Sequence, residues 1–229
     1  MIRLLRLSAL LLAGRRFWLL PFLPLLWIAF QAVLLLFGTR TGFEPAAAQN
    51  TLIGVPVVVL AVFLGGRIIA GELDQRSLEI AYTVPGGAHR VWLTKILAAL
   101  VLLIASLVLA ALFTWIFFTP FPPLTALYGA LQAVAFYLAL SMGFSTLFRS
   151  EVAGAMATAA VLGLNGLITG FGDNPLRISP FFNPLGLSDT DPERLLALLV
   201  QNRIGVVLAI AAIVAMTFGR AERRETMLG

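Results

Sequence analysis

Residues 96–148 contain no Asp, Glu, Lys, Arg or His over 53 consecutive positions. A single helix of that length would reach about 80 Å at 1.5 Å per residue, far beyond the roughly 30 Å of hydrocarbon in a bilayer. The run therefore has to fold back on itself, and Thr119-Pro120-Phe121-Pro122-Pro123 is the place where it can turn. Two membrane spans result, 96–118 and 124–148. The composition points the same way: 60% of the 229 residues are hydrophobic, 12% are charged and the mean hydropathy is +0.97. Ordinary soluble domains carry about 25% charged residues. An all-α integral membrane protein is the expected class, folded as a single domain over residues 1–229.

Four further runs complete a set of six spans: 17–38, 51–70, 152–172 and 197–219. Residues 1–16 precede them with Arg3, Arg6 and Arg16 on roughly one helical face, as in a helix that lies in the membrane interface. Arg15-Arg16 follow the short apolar run where a signal peptide would need its cleavage site. Arg67, near the end of the second span, reads as a side chain that snorkels to the headgroups. The fifth span carries Gly154, Gly163, Gly166 and Gly170, residues small enough for close helix packing in lipid. Asn165 within it is either an interhelical hydrogen-bonding group or part of a substrate path. The long polar stretch 172–203 ends with Asp191-Pro192-Glu193, a helix start with an acidic cap and Pro in the first turn. Arg203 there is expected to snorkel outward.

With six spans both termini fall on one side. That side holds twelve of the sixteen Lys and Arg residues and the other holds four, at 40, 177, 194 and 203. The asymmetry predicts that both termini and residues 72–95 are cytoplasmic. The same scatter of basic residues at span ends argues against nucleic-acid binding despite the net charge of +5. The chain has no Cys, which rules out disulfides and thiolate sites, and its one His, in a loop, leaves little for imidazole-based catalysis. Neither a P-loop lysine motif nor G-x-S-x-G occurs, and Ser141-Met-Gly-Phe-Ser145 reads as helix packing. No catalytic, cofactor-binding or metal site is expected in this chain.

The charge that the spans lack is gathered between the second and third. Glu72, Asp74, Arg76, Glu79, His89, Arg90 and Lys95 all lie there, so the segment is expected to be a water-exposed loop. Glu72 and Arg76 stand at i,i+4, and Arg76 and Glu79 at i,i+3, which supports a helix. Leu78, Ala81 and Tyr82 fall on one side of it, and Pro85-Gly86-Gly87 ends it. A short surface helix with one apolar face needs a partner.

The order of an acidic residue, Ser-Leu-Glu, an apolar stretch, Pro, a basic residue and Lys before a new span is similar to the type-2 class of ABC transporter permeases. The residues that carry the resemblance are Glu72, Ser77, Leu78, Glu79, Pro85, Arg90 and Lys95. The resemblance implies an elbow helix over 1–16 and a coupling helix over 72–85. It assigns docking of a cytoplasmic ABC ATPase, in two copies, to Glu72, Asp74, Arg76, Ser77, Leu78, Glu79, Tyr82, Pro85 and Arg90. ATP and magnesium would sit on that partner, and a second permease copy or a related chain would complete the transmembrane unit. The implied setting is a prokaryotic cytoplasmic (inner) membrane, and the implied activity is ATPase-coupled export of an apolar or amphipathic cargo, which suits spans without fixed charge. A haem-exporter-like subunit of cytochrome maturation shares the Ser-Leu-Glu loop and is a close variant. An integral membrane enzyme or a non-catalytic membrane scaffold are the rival classes.

Overall fold

A computed structural model describes residues 2–38, 42–74, 87–171, 179–187 and 191–223. Among these every extended regular element is a helix. In chain order they are α1 (Ile2–Ala13), α2 (Phe17–Leu36), α3 (Pro45–Arg67), the short α4 (Ala70–Asp74), α5 (Ala88–Phe117), α6 (Pro123–Phe148), α7 (Glu151–Phe171) and α8 (Pro192–Ala221). Six of them, all but α1 and α4, are long and apolar enough to cross a membrane. The chain is a multi-pass membrane protein.

Prolines set several of the starts. Pro21 lies inside the first six residues of α2, which wind as a 3₁₀-helix before the α-helix proper begins at Leu23. Pro45 opens α3 behind an extended Glu44, and Pro123 and Pro192 open α6 and α8, where a missing N–H costs nothing. Residues Ala48–Gly54 of α3 form a π-helical segment. The Thr51 carbonyl there accepts a hydrogen bond from Trp27 Nε1 at 2.9 Å, tying α2 to the widened turn.

The core is the crossing of α3 and α6. Gly65 lies directly against the Leu138 carbonyl, with no room for a Cβ. One turn away Ser141 Oγ donates to the Val62 carbonyl at 2.6 Å. Backbones come this close in lipid where small residues face each other. Val57, Val58, Ala61 and Leu64 of α3, Ile68 just after it, and Ala130, Ala133, Val134, Tyr137 and Met142 of α6 are buried around the contact. The other helices surround this pair: α7 and α8 pack on α6, and α5 packs on α3 and on α1. In α1, Ala9 and Leu12 are buried while Leu4, Leu7 and Leu11 stay exposed.

Three helices start earlier than their apolar runs. α3 begins at Pro45 rather than 51, α5 at Ala88 rather than 96, and α8 at Pro192 rather than 197. In α5 the inward positions Ala88, Trp92, Lys95 and Ala99 keep helical spacing straight through the charged segment. That shift brings Lys95 from the expected exposed loop into the bundle.

Candidate functional site at the loop base

The ends of α3, α5, α7 and α8 meet at one end of the bundle, around the base of the segment that joins α4 to α5. Its centre is Glu72 on α4, only 7% exposed, and Lys95 on α5, 4% exposed. Lys95 Nζ donates to Glu72 Oε1 at 2.7 Å and to the Ile68 carbonyl at 3.2 Å. Trp92 Nε1, one helical turn before Lys95, donates to Glu72 Oε2 at 3.1 Å. The spacing of Trp92 and Lys95 at i,i+3 puts both donors on the α5 face that looks at α4. Each carboxylate oxygen thus has a donor, and the ammonium has an anion and a carbonyl. Such satisfaction is what a buried ion pair requires.

A second, shallower pair lies beside it. Arg67 Nε at the end of α3 stands 3.4 Å from Glu151 Oε2 at the start of α7, with the side chains 26% and 25% exposed. The Arg67 guanidinium also covers the Phe63 ring at 5.4 Å. Gly71 makes room for this arrangement, since a Cβ there would stand 2.8 Å from Glu151 Oε1. The Glu151 backbone N–H donates to Asp74 Oδ2 at 3.4 Å, and an acidic residue in the first turn of α7 suits the helix dipole. Trp92 stacks near Phe218 of α8 at 5.6 Å, and His89 lies 4.0 Å from Glu222.

The cluster is a set of polar links between helices. Glu72 on α4 and Lys95, two turns into α5, lie on either side of the connecting segment and hold the two helices together. Arg67 and Asp74 link the same base to α7. Of the expected docking residues, Glu72 is buried as an anchor, Asp74 caps α7 and Arg90 is exposed on α5. Arg76, Ser77, Leu78, Glu79, Tyr82 and Pro85 lie outside the described residues. Trp92 was not singled out from sequence, although an indole one turn from a lysine at a span end is a signal of a donor pair. Among the described residues no group of three His, Asp or Glu side chains is gathered as for a metal.

A second polar cluster occupies the opposite end of the bundle. Gln132 Nε2 of α6 donates to Asn202 Oδ1 of α8 at 2.8 Å, and Asn202 Nδ2 donates to the Ser179 carbonyl at 2.9 Å. Ser179 Oγ reaches Asn165 Oδ1 of α7 at 3.1 Å. Asn165 thus joins α7 to the segment that contains Ser179. Arg203 Nη1 donates to Gln132 Oε1, and the guanidinium lies 4.6 Å from the Tyr128 ring centre. The segment 179–187 closes this end: Phe181 packs on Gly54, Gln49 Nε2 reaches the Phe182 carbonyl at 3.5 Å, and Asn183 Nδ2 donates to the Ala46 carbonyl at 2.7 Å.

Between the two ends, an apolar groove of about 540 Å³ runs along α2 and α3, lined by Leu20, Pro24, Trp27, Val59, Leu60 and Phe63 among others. Comparison of the chain with protein-family models, with curated proteins and with solved structures returns no match.

Proposed function

We propose that this chain is the membrane-spanning permease subunit of an ABC transporter of the type-2 class, working with a separate cytoplasmic ATPase. The observation that carries the reading is the anchored loop base. A segment that receives force from a partner has to pass it to the spans, and Glu72 with Lys95 ties both of its ends to α4 and α5. Arg67 and Asp74 extend the connection to α7. A merely solvated connection has no use for a buried ion pair at its root. The loop residues that resemble the coupling helix of that class, centred on Leu78 and Glu79, fit the same role. The charge asymmetry supports a cytoplasmic position for this loop and for both termini in a prokaryotic inner membrane. The apolar groove along α2 and α3 suits an apolar or amphipathic cargo. In this reading α1 is the interfacial elbow helix, two permease copies or related chains form the transmembrane unit, and two ATPase copies supply ATP and magnesium.

The test uses the full chain expressed with its partner ATPase. Leu78→Asp and Glu79→Arg should leave the permease in the membrane but reduce ATPase co-purification, or leave hydrolysis running without transport. Burial of Leu78 and Tyr82 against a partner contributes on the order of 3 kcal/mol, so the loss in affinity should exceed ten-fold. Unchanged co-purification and transport in both variants would remove the assignment.

A further inference from the structure

Arg203 is 8% exposed, and among the described residues no carboxylate lies within ion-pairing distance of it. Its Nη1 is used by Gln132, its face by Tyr128, and its Nε is buried with no hydrogen-bond partner. The polar groups around it cannot supply charge: Gln132 donates to Asn202, Asn202 to the Ser179 carbonyl and the Ser179 hydroxyl to Asn165, all of them neutral. A guanidinium shielded this far from water, with no carboxylate partner among the described residues, is costly. An anion from outside the chain offsets that cost.

The depth of Arg203 says which anion. It stands seventeen residues before Arg220 on the unbroken helix α8, about 26 Å at 1.5 Å per residue. All residues between the two are uncharged. Two arginines at that separation bracket a hydrocarbon layer of roughly 30 Å, so each lies at the level where lipid phosphates begin. Tyr128, 54% exposed, flanks the guanidinium on the outer surface of α6, as an aromatic residue of the interface belt does. Arginine presents a planar fork suited to phosphate oxygens, and one unpaired positive charge matches one phosphodiester. A headgroup with its own ammonium brings a second cation into the site and fits less well.

We propose that Arg203, with Tyr128 and Gln132 beside it, binds the phosphodiester of an anionic phospholipid at the end of the bundle opposite the loop base. The site depends only on the protein being multi-pass and not on the permease reading.

The experiment measures lipid binding to the purified full chain in mild detergent by native mass spectrometry, with phosphatidylglycerol, phosphatidylcholine and inorganic phosphate as probes. The wild type should prefer phosphatidylglycerol over phosphatidylcholine on the order of ten-fold. Arg203→Gln should remove that preference. Gln132→Glu keeps the arginine but places a carboxylate beside it, and should remove the preference as well. Having two routes to the same loss guards against a variant that misfolds. Retention of the wild-type preference in both variants overturns the proposal. Displacement of the lipid by millimolar inorganic phosphate alone overturns the lipid assignment, because the site then takes a free anion.

Discussion

The bundle buries cationic side chains at both ends and treats them differently. At the loop base, Lys95 and Arg67 each face a carboxylate from another helix, Glu72 and Glu151. At the opposite end, Arg203 faces an amide and an aromatic ring. The first end is electrostatically closed within the chain, so its helices are tied to one another. The second is a network of neutral hydrogen bonds around a cation whose charge has no match among the described residues. The contrast assigns different work to the two ends. One holds elements together so that displacement of any of them is shared, and the other is suited to an outside anion.

The largest effect expected from that contrast is at Lys95. Lys95→Met retains most of the aliphatic volume but removes the ammonium that faces the buried Glu72 carboxylate, leaving the Trp92 indole in place. Removing one partner of a buried ion pair costs about 3–5 kcal/mol. Unfolding from mild detergent by titration with sodium dodecyl sulfate should show a loss of that size. The double variant Glu72→Gln with Lys95→Met should recover much of it, since no uncompensated charge remains. Equal loss in the single and double variants would show that Lys95 matters for packing rather than charge.

The neutral end should respond less. Asn202→Ala frees the Ser179 carbonyl and Gln132 Nε2 inside the bundle. Leaving buried polar groups unpaired costs about 1–3 kcal/mol, and segment 179–187 loses one of its fastenings to α8. The same detergent titration reads the stability change. Faster proteolysis near Ser179, without change near residue 74, would localise it. A loss as large as that at Lys95 would erase the distinction between the two ends.

Much of this arrangement was legible from sequence, for a plain reason. Hydropathy is read one residue at a time, so the six spans, the turn at 119–123 and the helix start at Asp191-Pro192 follow from composition and turn chemistry. Pairing is not local. Charged residues between 72 and 95 imply water unless a partner is known, and the partner of Glu72 is 23 positions away on another helix. For that reason α5 begins at Ala88, eight residues before the start that sequence marks at 96. Arg203 is misread in the same way, as a side chain that snorkels free when it is buried against Gln132 and Tyr128. The π-helical segment Ala48–Gly54 carries no sequence signal comparable to a proline or a charge run; Gly54 and Gln49 acquire meaning only once Phe181 and Phe182 are seen beside them. An amide in an apolar span such as Asn165 asks for a polar partner, but sequence alone does not name Ser179, 14 positions away.

The smallest effect is expected at the pair that most resembles the strong one. Arg67 and Glu151 also join two helices at the loop base, but both side chains are about a quarter exposed and the closest approach is 3.4 Å rather than 2.7 Å. Water and salt reach such a pair, and long side chains lose conformational freedom in forming it, so the coupling energy of partly exposed pairs is usually below about 1 kcal/mol. A double-mutant cycle of Arg67→Gln and Glu151→Gln should therefore return a coupling of that order, decreasing as salt is raised. Arg67→Gln also removes the contact of the guanidinium with the Phe63 ring, which cancels in the coupling, so Arg67→Gln alone should cost slightly more than Glu151→Gln. Adding the single Glu72→Gln to the Lys95 variants completes a second cycle, and the two couplings then compare pairs at the same end of the same bundle. A coupling at Arg67 as large as the one at Lys95, and insensitive to salt, would mean that this end is covered in the protein as it is extracted. A second copy or a partner seated over the α3–α7 contact would then be the cover, and cross-linking from a cysteine placed at residue 67 would identify it.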